Sequence, residues 1–109
     1  MTYSYKVLGQ QNPSATTATT LYTVPSTTEM INGLLMVCNR SSTATSFRIA
    51  VRPNGDALAN EHYVYYDLPI GGNDSFECLR GLSLDASDVV TVYATLATLS
   101  FTMYGLEIT

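Results

Sequence analysis

Residues 29 to 53, EMINGLLMVCNRSSTATSFRIAVRP, constrain the fold more than any other stretch of the chain. The second half alternates strictly, with Phe47 and Val51 on one side and Arg48 and Arg52 on the other. Because successive side chains in a β-strand point to opposite faces, this alternation predicts a strand that buries one face and exposes two arginines.

The first half of the stretch, Met30 to Cys38, is apolar at both even and odd positions. Such a run is typical of a strand that is covered on both sides. The polar residues between the two runs, Asn39 to Ser46, are too few for a crossover helix. A short polar linker between two strands favours antiparallel pairing, so the stretch predicts a two-stranded ribbon.

The remaining apolar runs are also short, and turn residues separate them. No segment keeps a helical period, whereas short strands at regular spacing with Gly, Pro, Asn and Asp turns are typical of sandwiches. We predict one all-β domain over residues 1–109, a jelly-roll-like antiparallel β-sandwich with about seven or eight short strands and little or no helix. A β-bulge at Gly105 would explain why the alternation slips in the last strand. The predicted core includes Phe47, Ile49, Val51, Val90 and Val92.

The segment from residue 10 to residue 20, QQNPSATTATT, has no apolar side chains able to fill a core. It is predicted to be an irregular, exposed arm. Long loops without regular structure are often functional, so Pro13 and Thr16 are candidates for contact with a neighbouring subunit. Plain flexibility is the alternative.

The charge of the chain and the length of its apolar runs argue against several classes of protein. Charged residues make up 13% of the chain, against about 25% in a typical soluble domain. The net charge of −4 disfavours nucleic-acid binding, which needs a basic surface. No apolar run approaches the roughly 18 residues of a membrane span, and the start, MTYSYKVLGQ, lacks the basic and apolar regions of a signal peptide. We therefore expect no nucleic-acid partner, no membrane partner and no export signal.

The residues that carry enzyme chemistry are few and scattered. The one histidine, His62, has no serine motif to partner it, and Cys38 and Cys78 stand in no CxxC spacing. Without an export signal both cysteines are predicted to be buried, reduced thiols, with a disulfide as the alternative. Asp56 and Asp74 lie at turns and match no calcium loop. We expect no catalytic activity, no cofactor and no metal.

Two sets of residues suit a protein–protein interface. Arg48 and Arg52 share one face of a strand, and arginine forms bidentate pairs with carboxylates. Tyr63 and Tyr65 are predicted to share a face of the strand EHYVYYDL, and tyrosine is enriched at interfaces. A solvated strand face and ordinary sandwich packing are the respective alternatives. Low charge, open sheet edges and surface tyrosines together favour a homo-oligomer, either a dimer or a trimer.

Several short segments of the sequence resemble those of a known family. LYTVP at 21–25, CNRS at 38–41, FRIAVRP at 47–53 and DVVTVYA at 88–94 are the most recognisable, and the resemblance spans residues 21 to 109. The chain resembles small virion structural proteins of tailed bacteriophages, which are capsid decoration (cement) subunits or tail and fibre accessory subunits. The resemblance implies an all-β subunit present in many copies and without enzymatic activity.

The expected function is therefore that of a capsid decoration subunit, localised in the virion and assembled in the host cytoplasm. Its expected partners are the major capsid protein or other virion proteins. The alternatives are a tail, baseplate or fibre module, including one that binds a host glycan, and a free carbohydrate-binding module. The absence of tryptophan weakens the last of these.

Overall fold

The computed structural model describes residues 1–109 and consists of eight β-strands with two single-turn 3-10 segments, Pro53–Gly55 and Asn60–His62. It has no helix long and apolar enough to cross a membrane. The predicted all-β composition is confirmed. In chain order the strands are β1 Tyr3–Gln11, β2 Thr19–Thr23, β3 Glu29–Asn39, β4 Thr45–Arg52, β5 Tyr63–Ile70, β6 Ser75–Leu84, β7 Val89–Ala94 and β8 Leu99–Ile108.

The strands form two four-stranded antiparallel sheets. Sheet A has the order β1-β8-β3-β6, and sheet B has the order β2-β7-β4-β5. The antiparallel pairs β1–β8, β2–β7, β3–β6 and β4–β5 alternate between the sheets as the chain wraps around the core. This nested pairing is the arrangement of a jelly roll, so the predicted jelly-roll-like sandwich is confirmed.

The predicted ribbon of residues 29 to 53 is wrong. β3 pairs with β6 and β8 in sheet A, while β4 pairs with β5 and β7 in sheet B. The polar linker crosses from one sheet to the other, because each strand has an apolar face that packs into the shared core. Asn39 holds the crossing: its buried amide donates to the carbonyls of Thr43 (2.8 Å) and Gly71 (3.1 Å) and accepts from the Ser41 amide (3.1 Å).

The core lies between the two sheets and is centred on Phe47. The Phe47 ring meets Phe101 of β8 edge-on, with centroids 6.1 Å apart, and also lies near Phe76 and Tyr65. Four of the five residues predicted for the core are fully buried, and the fifth, Val51, is half-buried at its margin. The four are Phe47, Ile49, Val90 and Val92.

The predicted irregularity at Gly105 is present in the pairing of β8 with β3, but the extra residues lie in the two strands beside β8 and not in β8 itself. The register shifts at Leu8 in β1 and at Asn32–Gly33 in β3. β8 pairs continuously with β1, whereas Gly105 lies opposite the β3 shift and has no partner there. After the first shift, Gly9 comes so close to β2 that a Cβ atom there would lie 2.1 Å from the carbonyl oxygen of Leu21. A glycine is therefore required for β1 to approach sheet B at this point.

The alternation of β8 slips because Glu107 takes an inward position. Its carboxylate is buried, accepts a hydrogen bond from the Tyr22 phenol of sheet B and pairs with Lys6 Nζ at 2.7 Å. Burial opposes ionisation of Glu107, but the hydrogen bonds from Lys6 and Tyr22 and the Lys6 charge outweigh it and lower its pKa. Burial first, and then the bond to Glu107, raise the pKa of Tyr22. A neutral phenol and a charged carboxylate thus join the two sheets.

Candidate interaction surfaces

Arg48 lies on the outer face of sheet B and is held by its own chain. Its guanidinium donates to both carboxylate oxygens of Asp67, at 2.7 Å and 3.3 Å. The guanidinium carbon also lies 4.2 Å from the ring centroid of Tyr66 and 4.3 Å from that of Tyr93. The hydrogen bond to Asp67 raises the pKa of Arg48 above its ordinary value, although burial acts in the opposite direction. The charge of Arg48 is therefore paired with a carboxylate of the same chain and stacked between two aromatic rings.

Arg52, two alternations along β4, is also engaged within the chain. It donates to Thr91 Oγ1 at 3.1 Å and to the carbonyl of Asp56 at 2.9 Å. The predicted pair of arginines does share the outer face of sheet B. Both already donate within the chain, however, and a partner would have to contact these side chains together with their existing neighbours.

The prediction that Tyr63 and Tyr65 share a face is wrong. Register shifts in the β4–β5 pairing place Tyr65 opposite Ile49 and Tyr63 opposite Ala50. Tyr65 packs toward the core, and its hydroxyl accepts from the Leu79 amide at 3.4 Å. Tyr63 packs edge-on against the exposed ring of Tyr66, with centroids 5.0 Å apart. Nothing in the sequence pattern indicates these shifts, and it does not predict Tyr66 and Tyr93 as partners of Arg48.

The predicted arm is shorter than expected and is attached to the sandwich. Gln10 and Gln11 end β1, and Thr19 begins β2. Pro13 is buried rather than exposed. Thr16 is exposed, but its amide donates to the carbonyl of Ala94 at 2.8 Å. The segment between the strands is therefore attached to β7 near Ala94, and all of its residues except Pro13 are exposed to a neighbour.

The outer face of sheet A carries an apolar patch that the sequence prediction did not recognise as exposed. Two cross-strand rows make it up, and we call their six residues the apolar face. None of them belongs to the core cluster. Tyr5, Val7 and Tyr104 are exposed, Ile31 and Leu34 are half-buried, and Leu106 is buried. The rows are Tyr5–Leu106–Ile31 and Val7–Tyr104–Leu34.

The apolar face explains why β3 is apolar on both sides. The core covers Met30, Leu35 and Val37, which the bulge at Asn32–Gly33 brings onto one face. Leu34 and Met36 point away from the core and are half-buried, and Tyr104 donates a hydrogen bond to the Met36 sulfur at 3.1 Å. The β3 side chains on this second side are half-buried or exposed, so the chain covers it only in part. The prediction of a strand covered on both sides is therefore wrong for the isolated chain.

A shallow groove of about 320 Å³ runs along the apolar face. The rings of Tyr5 and Tyr104 border it, together with Val7 and Leu106. Asn32 and Lys6, which pairs with Glu107, also line it. Tyr5 is 81% exposed and projects beside the groove. The face thus carries both a projecting aromatic side chain and an apolar recess.

The two cysteines are both free and lie in different environments. Cys78 is buried opposite Leu35, and burial raises the pKa of its thiol to about 12. Cys38 is exposed on the outer face of sheet A, so the prediction that it is buried is wrong. The predicted unpaired state agrees with the structure.

Several other polar side chains have partners within the chain, whereas the buried hydroxyls of Thr45 and Thr98 have none. His62 is buried, and its Nδ1 accepts from the Ala59 amide at 3.0 Å. The Asp88 carboxylate accepts from the amides of Asn54 and Asp85, and the Asp74 carboxylate from that of Ser75. No three His, Cys, Asp or Glu residues are grouped so that they could hold a metal ion.

Comparison with known proteins finds no family model, no curated protein and no solved structure that matches this chain. What the surfaces do is therefore inferred from their own chemistry and from the jelly-roll architecture.

Proposed function

We propose that this chain is a structural subunit of a tailed bacteriophage virion, a capsid decoration (cement) protein that stabilises the head through protein–protein contacts. It is present in the virion after assembly in the host cytoplasm, and it contacts the major capsid protein or other virion proteins as a homo-oligomer, a dimer or a trimer. The proposal assigns no reaction and no cofactor to the chain.

The apolar face is the observation that carries the proposal. Apolar rows on the outside of a well-packed sandwich mark a surface that another protein covers, because large exposed apolar patches are uncommon on monomeric soluble proteins. Tyr5 and Val7 belong to one such row each and are 81% and 56% exposed. The fold adds weaker support, since jelly rolls are used in viral capsid domains, although fold alone does not give function.

The outer face of sheet B is the proposed docking surface for the capsid. Arg48, Tyr66 and Tyr93 form a stacked cluster there, and Arg52 and Tyr63 flank it. Arginine and tyrosine are both enriched at interfaces, where they contribute to the energetically dominant positions. Because the Arg48–Asp67 pair is already formed, docking would require little side-chain ordering and would bury a prearranged surface.

Reconstitution of particles that lack the protein tests this function. Purified wild-type subunit should bind to them, and imaging should locate its density on the head. Tyr66→Ser, which removes a ring that is 59% exposed, should lower occupancy on the particles at least about tenfold, a typical loss at an interface hot spot. Leu96→Ser, at an exposed turn residue, is the control and should bind like the wild type. If the wild-type subunit binds no part of the head, the decoration function is wrong.

The second candidate is a tail, baseplate or fibre module that binds a host glycan. A shallow recess lined by Asn60, Tyr63 and Tyr66 favours it, because aromatic rings and amides contact sugars. Density located on the tail, together with glycan binding that Tyr66→Ser abolishes, would support this candidate over decoration of the head.

A further inference from the structure

We propose that the apolar face is the interface of a two-fold symmetric dimer, in which the outer faces of sheet A of two copies pack against each other. This inference rests on the proposed function, because it specifies how the virion subunit self-associates. The partner is a second copy of this chain.

The charge of the chain favours this face for self-association. Two copies that each carry a net charge of −4 repel each other wherever acidic side chains meet. The six residues of the apolar face carry no charge, and their only polar side-chain groups are the hydroxyls of Tyr5 and Tyr104. The acidic residues of the same outer face stand at its margins: Glu29 pairs with the last residue of β8, and Glu77 on the edge strand β6 is neutralised by Arg80 at 2.9 Å.

The shape of the face is also self-complementary. A two-fold interface brings the same patch of both copies together, so a projection on the patch must find a recess on the same patch. Tyr5 projects and is 81% exposed, and the groove of about 320 Å³ lies directly beside it. The Tyr5 ring of each copy would enter the groove of the other, and its hydroxyl would remain near the polar margin.

The whole outer face of sheet A, which includes the apolar face and the Glu77–Arg80 pair on β6, is large enough for a specific dimer. Four strands about 4.8 Å apart and about 33 Å long present roughly 600 Å² per copy, from the usual strand spacing and rise. The total of about 1,200 Å² for two copies lies at the lower end of the range for specific, stable interfaces. Sheets that pack face to face align within about 30°, which allows both rows to interdigitate with their counterparts.

The test is the concentration dependence of sedimentation for the full-length protein and two matched variants. Val7→Glu places a charge within the apolar face, and Val64→Glu places the same charge on β5, the edge strand of sheet B. The two valines are 56% and 51% exposed, so the substitutions cost the folded monomer similar amounts. Wild type and Val64→Glu should dimerise in the micromolar range with equal dissociation constants. Val7→Glu should dimerise at least about thirtyfold more weakly, because each copy would bury an unpaired carboxylate.

Three results would overturn the dimer. These are a wild-type chain that stays monomeric at every concentration, a Val7→Glu variant that dimerises like the wild type, or a Val64→Glu variant that is weakened equally. Urea unfolding shows whether Val7→Glu remains folded. If it does not, Tyr5→Glu replaces it, since a side chain that is 81% exposed contributes little to the monomer fold.

Particle occupancy separates this inference from the proposed function. A dimer that Val7→Glu disrupts, formed by a protein that binds no phage particle, would refute the function and leave the interface standing. A wild-type monomer whose binding to particles is lost in Val7→Glu would mean that another virion protein covers the face, which refutes the second copy as its occupant.

Discussion

Tyr22 on β2 donates its phenol proton to the buried carboxylate of Glu107 on β8, so that one hydrogen bond joins sheet B to sheet A. Lys6 on β1 neutralises the same carboxylate from the edge of the sandwich. A buried carboxylate is costly unless it is paired and hydrogen-bonded, and here both conditions are met. The charge on Glu107 therefore stabilises the fold, and the pH dependence of the free energy of unfolding measures its contribution.

Glu107→Gln should lower the free energy of unfolding at pH 7 by about 1–3 kcal/mol, because a hydrogen bond to a charged group is lost. A lowered pKa stabilises the fold at pH values above the unfolded-state pKa of about 4.3, and this contribution is lost as pH falls through the folded-state pKa. The difference between wild type and variant should therefore shrink below about pH 4. Urea unfolding at both pH values measures it.

The control for this comparison is Glu61→Gln, which changes an exposed carboxylate and should alter stability by less than about 0.5 kcal/mol. If Glu107→Gln destabilises the protein equally at low and neutral pH, its effect comes from packing and not from the charge.

Arg48→Ala should destabilise the fold by roughly 1–2 kcal/mol, although the residue lies on an outer face. The substitution removes a bidentate pair with Asp67 and two aromatic contacts, with Tyr66 and Tyr93. Arg48→Lys should recover only part of this, because an ammonium group cannot reproduce the planar fork. Urea denaturation gives the free energies.

Arg80→Ala is the matched control, since Arg80 pairs with Glu77 while its side chain is 76% exposed. Its expected loss is at most about 0.5 kcal/mol, as for other exposed ion pairs. Equal losses for Arg48→Ala and Arg80→Ala would show that the aromatic stacking contributes nothing measurable.

Thiol titration should distinguish Cys38 from Cys78. In the folded protein near pH 8, one thiol should react with a disulfide reagent, because Cys38 is exposed whereas Cys78 is buried and its pKa is raised to about 12. Unfolded, unreduced protein should show two thiols. Cys38→Ser should abolish the fast reaction, and the appearance of two fast thiols in the folded state would mean that β6 opens readily.

The sequence patterns were sufficient to predict which residues of a regular strand face the core. Phe47, Ile49, Val90 and Val92 are buried as the alternation of β4 and β7 predicted. Periodicity reports the two faces of a strand, but it does not report which strand lies alongside. Periodicity and a short linker therefore predict one ribbon for β3 and β4, although long-range pairing with β8 and β7 places them in separate sheets.

The interaction surfaces were harder to predict, for two physical reasons. Register shifts exchange the two faces of a strand and leave no compositional mark, which is why Tyr63 and Tyr65 lie on opposite faces of β5. An apolar side chain, moreover, has the same sequence signature whether its own chain or another molecule covers it. The pattern predicts that Leu34 and Met36 are covered, whereas the structure leaves them half-buried on the outer face of sheet A.

Asn39→Ala should be among the most destabilising polar substitutions, because Asn39 fixes the linker that carries the chain from sheet A to sheet B. Its side chain is 1% exposed and satisfies the Thr43 and Gly71 carbonyls and the Ser41 amide. Alanine would leave these backbone groups without partners, at an expected total cost of about 2–4 kcal/mol. Asn12→Ala, which removes one exposed hydrogen bond from Arg40, should cost less than about 0.5 kcal/mol. Hydrogen exchange should show that the loss of protection is concentrated at residues 39 to 45. If Asn39→Ala is as stable as Asn12→Ala, water replaces the Asn39 amide and the linker between the sheets does not depend on it.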